Sequence, residues 1–569
     1  MSMGKKLFAI MFAALMAVSV LAGCGVKPAA TEMLAPALSS ENDTDPNAPY
    51  YPRITISTVL RTVPNTEYAD GHSATNTIWT EQYDRMGIDI EYLWQQEAAQ
   101  YEDRLFLAIN SGDIPDVMRV YDPQAALMAR GGMLYDLTDV FEKYASEVTK
   151  EQMMYPYDGA YMAGAYMKGR LMMLPYEADS ARDWCWPLWI RSDWLENVGL
   201  EPPKTMDDFL AVCEAFVNGD PKKDGKKDTY GLAVAGMDNL LMDWGSLGPF
   251  FTSYNAQPGW WFSGQLFYEI EDGKVIWSGA KPGVKEALKV LQDMYKKKYI
   301  AIDFSTIDSG ERMTEDLVGE KVGMFFGDYW VGGWPLNILR ESNPEADWFV
   351  VAPPTVDGKP TRQERYQPAS SWTVVSAACK NPEAIIRMLN LSTEIWYGMD
   401  GKDPRKVEFQ AKPGVRDGGM GVVCALVRFN SPSLAEVEWR ALAKAIETGD
   451  ASDVPAGRMP SWEDIKMFMD DPLHFTGWAQ HNENAPEPGK VNYWIYEEMV
   501  KNHPYIDNAY MGLLTDLMAD LFPIYHSMAT EKVTRIIIGE DSVDSWDELV
   551  AQWSALGNDE IIAEIESLR

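Results

Sequence analysis

The chain is poor in the residues that build metal and redox centres. Its 569 residues include five Cys and five His. Cys185, Cys213, Cys379 and Cys424 are widely spaced, without a paired-cysteine pattern, and His72, His474, His481, His503 and His526 show no ligand spacing. Both facts argue against a structural zinc site. Basic residues are also scarce: 50 Lys and Arg face 85 Asp and Glu, a formal charge of -35. A field of that sign argues against nucleic acid and anionic ligands as partners. The hydrolase signatures Gly-x-Ser-x-Gly and His-Glu-x-x-His are missing, and no repeat period is visible.

One apolar run stands at the amino terminus. Lys5 and Lys6 precede Leu7 to Val20, an uncharged stretch that ends in Leu21-Ala22-Gly23-Cys24. A spanning helix needs about 20 apolar residues, so this run has the length of a signal-peptide core. Leu-Ala-Gly-Cys resembles the bacterial lipobox, which predicts a signal peptide over 1–23 and lipidation at Cys24. Residues 24–52, rich in Ala, Pro, Ser, Asn and Asp, read as a flexible tether. No second long apolar run follows, so the body is expected to be soluble. The expected location is the extracellular face of the bacterial cytoplasmic membrane. The other four cysteines read as buried free thiols, although an exported compartment also permits a disulfide.

The body mixes strand and helix signals. Alternation predicts strands at Arg53 to Thr58, Gly87 to Ile90 and Ser111 to Met118, with helices at Thr77 to Met86 and Tyr101 to Asn110 between them. That order suggests an α/β layer with a parallel sheet. Further strands are expected at Leu171 to Pro175, Pro187 to Ile190, Val322 to Phe326, Asp347 to Ala352 and Trp372 to Ser376. Further helices are expected at Arg191 to Leu200, after Thr205, and at Val284 to Lys298, Pro382 to Leu391, Glu436 to Ile446, Ser545 to Leu556 and Asp559 to Leu568. Thr205 with Asp208 forms a capping signal.

Pro187-Leu-Trp-Ile-Arg-Ser-Asp-Trp-Leu-Glu-Asn-Val-Gly-Leu-Glu-Pro-Pro-Lys-Thr-Met-Asp-Asp-Phe209 resembles the family-1 extracellular solute-binding proteins, in particular their long lipoprotein branch. Gly225 to Gly231, Gly319-Glu-Lys-Val-Gly-Met324 and the ending Glu531 to Gly557 are similar to that branch too. The resemblance implies two α/β lobes joined by crossing strands, a periplasmic-binding-protein-like fold with a ligand cleft between the lobes. Lobe one would hold 53–182 and a return segment of about 371–445. Lobe two would hold 183–367 and about 446–569. It also implies a monomeric receptor that closes around its ligand and delivers it to an ABC permease.

Asp220-Pro-Lys-Lys-Asp-Gly-Lys-Lys-Asp-Thr-Tyr-Gly231 resembles the calcium loop of that branch. Asp220, Asp224, Asp228 and the Lys226 carbonyl stand at oxygen positions. Lys222 and Gly231 stand where the pattern wants ligands. The loop therefore reads either as a structural calcium site or as a solvated polar turn; no other cofactor is expected.

Aromatic residues are abundant, with 21 Trp and 27 Tyr. Flat rings suit the C–H faces of sugars, and Asp, Asn, Arg and Gln suit their hydroxyl rims. The family resemblance places an aromatic residue in the cleft after the Gly-Lys-x-Ala-Met strand, here Tyr329 or Trp330. Asp328, Trp334, Trp372, Trp186, Arg182, Trp244, Trp261, Tyr121 and Asp122 complete the candidate ligand set. Trp546 and Trp553 are expected to pack. The expected ligand is an oligosaccharide, with a peptide or another small solute as the alternative. A secreted carbohydrate-active enzyme is the rival reading, and no motif marks a catalytic carboxylate pair.

Overall fold

The computed structural model describes residues 48–62, 72–154, 162–178, 180–260, 264–356, 358–366, 369–398, 425–429, 431, 433–455, 458–502 and 505–569. The signal segment, Cys24, most of the tether, Trp261 and Cys424 lie outside these residues.

The β-branched run after Pro52 forms strand Ile54–Thr62, which pairs in parallel with Ile88–Glu97. Helix Ile78–Arg85 connects them, with Thr77 capping its amino end. Both strands extend beyond the expected bounds, because the alternation of half-buried and exposed residues in Ile88–Glu97 continues past Ile90. Helix Ala98–Ser111 stops at Gly112, whose left-handed φ of 75° suits a residue without Cβ. The third strand is Val117–Val120. It does not extend the parallel pair. It runs antiparallel to Ala369–Val375, which also pairs antiparallel with Leu174–Ala178. The Asp116 carboxylate accepts from the Ser57 amide and hydroxyl at 2.8 and 2.7 Å, tying the two sheets together.

One core gathers around these sheets. It includes Ile56, Tyr83, Leu105, Val120 and Trp372, together with Ile385 and Leu389 from helix Pro382–Thr393. Downstream, strand Leu188–Arg191 is flanked on both sides by antiparallel neighbours, Met324–Phe326 and Trp348–Val351. Side chains alternate across a strand, and this sheet uses both faces. Leu188, Ile190, Met324 and Phe326 enter a core with Phe209, Phe250, Leu288, Trp546 and Trp553. Trp189, Phe325, Trp348 and Val350 enter another with Trp244, Trp439, Trp478 and Trp494. Trp189 and Phe325 stack at 6.4 Å between ring centres. Trp546 and Trp553 are fully buried, and the Trp546 indole donates to the Gly279 carbonyl at 3.0 Å.

Several helices depart from the sequence reading, three of them with a bearing on the cores. Asp122–Arg130 was not marked. Asp516–Ile538 carries an internal Pro523, a residue that normally ends a helix. Here Phe522, Tyr525, Ala529 and Val533 bury a continuous face in the core, and tertiary packing overrides the local penalty. Helix Leu434–Thr448 runs over the expected Glu436 to Ile446, but it sends Trp439 and Ala443 into the core of Trp189 and Trp348.

The chain passes between the first core and the other two after Ala178, again before Ala369, and once more between Phe429 and Trp439. Before the second passage, Gln363–Arg365 pairs in parallel with Tyr505–Asp507. Beside it Arg362, 4% exposed, donates to Glu269 at 2.9 Å, Glu364 at 2.7 Å and the Ser278 hydroxyl at 2.8 Å.

Candidate functional site

The two three-stranded sheets present carboxyl ends to the same short segment. In the first sheet Trp372 lies opposite Val120 and Ala369 opposite Ala178, the last residues of their strands. In the second sheet Phe326 and Val351, also strand ends, both lie opposite Leu188, the first residue of its strand. The crossing segment, with its short helix Ala181–Trp184, runs between Ala178 and Leu188. Ligands of open α/β sheets bind outside such strand ends.

The side chains there form one cluster. Asp328 follows strand Met324–Phe326 and is buried. Its carboxylate accepts from the Trp186 indole at 2.8 Å and its carbonyl from the Trp189 indole at 3.1 Å. The Tyr329 ring lies under the Arg182 guanidinium at 4.1 Å, and Glu483 stands 3.9 Å from the same guanidinium. Trp330 and Trp334 stack at 6.2 Å with 17° between planes. Trp244 meets both edge-on, at 5.9 and 5.5 Å. Trp334 keeps 40% of its surface exposed, so the stack has an open flank.

Next to Trp244 lies an acid pair: the Asp243 and Asp328 carboxyls are close enough to bear on each other's proton affinity. Asp243 holds a left-handed φ of 68° and accepts from the Trp244 amide at 2.7 Å. Burial, then the neighbouring Asp243 and Asp183 carboxyls, push Asp328 well above the usual carboxylate range. Burial raises Asp243 as well. Neighbouring carboxyls whose proton affinities are both raised can donate as well as accept. That arrangement suits a hydroxyl group.

Arg182, Trp186, Trp244, Asp328, Tyr329, Trp330 and Trp334 therefore stand together. Trp186 also lines a small adjoining cavity with Trp184, Gln257, Trp260, Glu364 and Tyr366. Tyr121, Asp122 and Trp372 stand at the ends of the first sheet. Trp372 is fully buried, so it presents no ring face; its indole donates to Asp122 at 2.6 Å. Nearby the Arg119 guanidinium lies over Tyr121 at 5.2 Å and over Tyr176 at 4.8 Å. Asp183, Asp243 and Glu483 were missed as site residues. The Asp243-Trp244 pair repeats the acid–aromatic pattern of Asp328-Tyr329 and could have been found. Glu483 sits in the last turn of helix Phe475–Asn484 with no local signal.

At the calcium-like loop the side-chain arrangement favours the polar-turn reading. Among the described residues no group of three or more His, Cys, Asp or Glu side chains is arranged to hold a metal ion. Lys222 reaches Asp228 at 2.7 Å and Asp224 at 3.4 Å, so an ammonium already sits on two of the four expected oxygen donors, Asp220, Asp224, the Lys226 carbonyl and Asp228.

Residues 66–394, more than half of the chain, match the model of the bacterial extracellular solute-binding proteins. The chain belongs to this family. This solute-binding protein is 22% identical over 493 residues to Lipoprotein LipO of Bacillus subtilis (strain 168), across 85% of this chain and 86% of LipO. It is 27% identical over 243 residues to the polygalacturonan/rhamnogalacturonan-binding protein YtcQ of the same strain, across 42% of this chain and 44% of YtcQ. Among solved structures it is similar to the S. pneumoniae ABC-transporter substrate binding protein FusA in complex with kestose. The TM-score is 0.61 at 18% identity, over 90% of this chain and 98% of that one. An EF-hand mutant of FusA in complex with fructo-nystose gives 0.59 at 18% identity over the same shares. The two-lobed α/β fold is common to these structures.

Two expectations follow from buried groups of the solute-binding protein. Cys185, Cys213 and Cys379 are free and buried, and burial pushes the Cys185 and Cys379 thiols up to about 12. With Cys24 and Cys424 replaced by Ser, the native protein should leave DTNB unreacted, and three thiols should titrate after guanidinium is added. A fast thiol in the native protein would contradict the packing.

Burial pushes Asp122 up to about 7, against the lowering effect of the Trp372 hydrogen bond. The folded state thus holds this proton more tightly than the unfolded chain. The linked stability is fully present below an ordinary carboxyl value near 4 and is lost as pH rises through about 7. Its full span is about 4 kcal/mol. Urea midpoints of wild type and Asp122→Asn should diverge between pH 5 and pH 8, with wild type losing more. A constant offset between them over that range would refute the assignment.

Proposed function

We propose that the protein is a lipid-anchored extracellular receptor of an ABC importer that captures an oligosaccharide and delivers it to a membrane permease. The observation that carries this reading is the cluster at the crossing segment. A half-open Trp330–Trp334 stack, braced by Trp244, accompanies the Asp243 and Asp328 carboxyls at the converging ends of two sheets. The rings suit the apolar faces of a sugar and the acids its hydroxyls. LipO is named a lipoprotein, and YtcQ and FusA carry carbohydrate ligands in their names or complexes, which supports the class. Leu21-Ala22-Gly23-Cys24 supports the anchor.

In this reading the first lobe is about 53–182 with a return segment that ends near 431. The second takes 183–367 and the helices from Leu434 onward, since Trp439 packs with Trp348.

A thermal-shift screen of the protein against oligosaccharides and peptides tests the reading. Oligosaccharides should raise the melting temperature, and chromatography should recover them unchanged. A response to peptides alone would overturn the ligand class, and cleaved sugar would overturn the receptor role.

A further inference from the structure

The turn at 220–228 is bound together as a calcium loop is, but by a different cation. Both oxygens of Asp220 are taken by backbone amides, of Asp224 at 3.1 Å and of Gly225 at 3.2 and 3.1 Å. The Lys226 amide takes Asp224 at 2.9 Å. One oxygen of Asp228 at 2.7 Å and one of Asp224 at 3.4 Å face the Lys222 ammonium, and the Lys226 ammonium stands 3.4 Å from that same Asp224 oxygen. The Lys222 side chain is 13% exposed, against 67% for Lys226, so Lys222 is the inward cation. A lysine normally keeps its head in water, so this one is held inward by the carboxylates. Burial alone would lower its proton affinity, but Asp228 and Asp224 outweigh burial and raise it.

The far end of the loop supplies no side-chain ligand of its own. Calcium takes six to eight oxygens, and the twelfth position of such a loop supplies two of them from a Glu. That position is Gly231, where even a Cβ would stand 2.8 Å from the Cys213 Cβ and 2.9 Å from its sulfur. No acidic side chain enters there without moving helix Met206–Asn218, which carries Cys213.

We propose that Lys222 is a covalently tethered counter-ion that replaces a divalent metal in this loop, so that the turn folds without calcium. A bound ion must be collected from solution, whereas the ammonium is always at hand. Its single charge and three donors join two carboxylates that a divalent ion would otherwise have to bridge.

The test compares three forms of the full chain, with and without calcium chloride after chelator treatment. Melting temperature and hydrogen exchange of the peptide covering 220–231 are the readouts. Wild type should show neither a calcium shift nor calorimetric heat. Lys222→Met should exchange about tenfold faster in this peptide and lose about 2 °C, unchanged by calcium. Lys222→Asp, which gathers four carboxylates without a counter-ion, should exchange fast in chelator and regain protection as calcium is added. Calcium heat in wild type, wild-type exchange in Lys222→Met, or indifference of Lys222→Asp to calcium would each overturn the proposal.

Discussion

Replacing Trp330 with Ala is expected to weaken oligosaccharide binding about 30-fold, equivalent to about 2 kcal/mol. Trp330 stacks on Trp334 and is met edge-on by Trp244. Its removal therefore takes away one ring of the proposed sugar-binding stack and also the brace that orients its neighbour. Concentrated loss at a few Trp positions is the rule for packed binding sites. The fold should be little disturbed, because Trp330 is only half-buried and lies in a short turn, Tyr329–Gly332, outside any strand. Isothermal titration with the best ligand from the screen is the measurement. Trp186→Phe is the companion: it keeps a ring but removes the indole donor to Asp328, and a smaller loss, about tenfold, is expected. Wild-type affinity in Trp330→Ala would remove the aromatic stack from the site.

The second large effect is on stability. Arg362→Met should cost about 3–5 kcal/mol, since removing one partner of a buried ion pair strands the others. Glu364, 5% exposed, would keep only the Gln257 amide at 2.9 Å and the distant Tyr366 hydroxyl, while Glu269 would keep Lys281 at 3.1 Å. Burial already raises Glu364 despite its arginine. Without Arg362 it would take up a proton, so the loss should shrink as pH falls. Arg362→Met combined with Glu364→Gln should recover most of the stability, because the charge is removed from both sides. Denaturant midpoints of the three proteins would show it. A single variant as stable as wild type would mean that the network contributes little. The network adjoins the second passage between the cores, so the double variant is also the natural one for measuring ligand-driven closure.

Periodicity read the elements well where one physical cause dominated. Pro382–Thr393, Asp559–Leu568 and the Thr205 cap follow from local spacing and local hydrogen bonds. Pairing partners did not follow. Val117–Val120 looked like the third strand of a parallel layer, but its neighbour comes from Ala369–Val375, some 250 residues later, and such contacts leave no mark in a local pattern. The site divides the same way. Asp328 to Trp334 are contiguous in sequence and were legible as a loop after a buried strand. Asp243 and Glu483 reach it only through tertiary packing. The calcium loop was legible in its acids; the role of Lys222 needed the direction of its side chain.

Strand Leu188–Arg191 feeds two cores with alternate residues, Leu188 and Ile190 to one, Trp189 to the other. Shifting a strand by one residue exchanges its faces. A single inserted or deleted residue here would put Trp189 where Ile190 fits and carry Trp186 and Arg182 out of register with Asp328. Length is thus frozen at this point of the chain more firmly than residue identity. As the protein diversifies, substitutions can retune its specificity in the loops on either side, while gaps in this stretch would be purged.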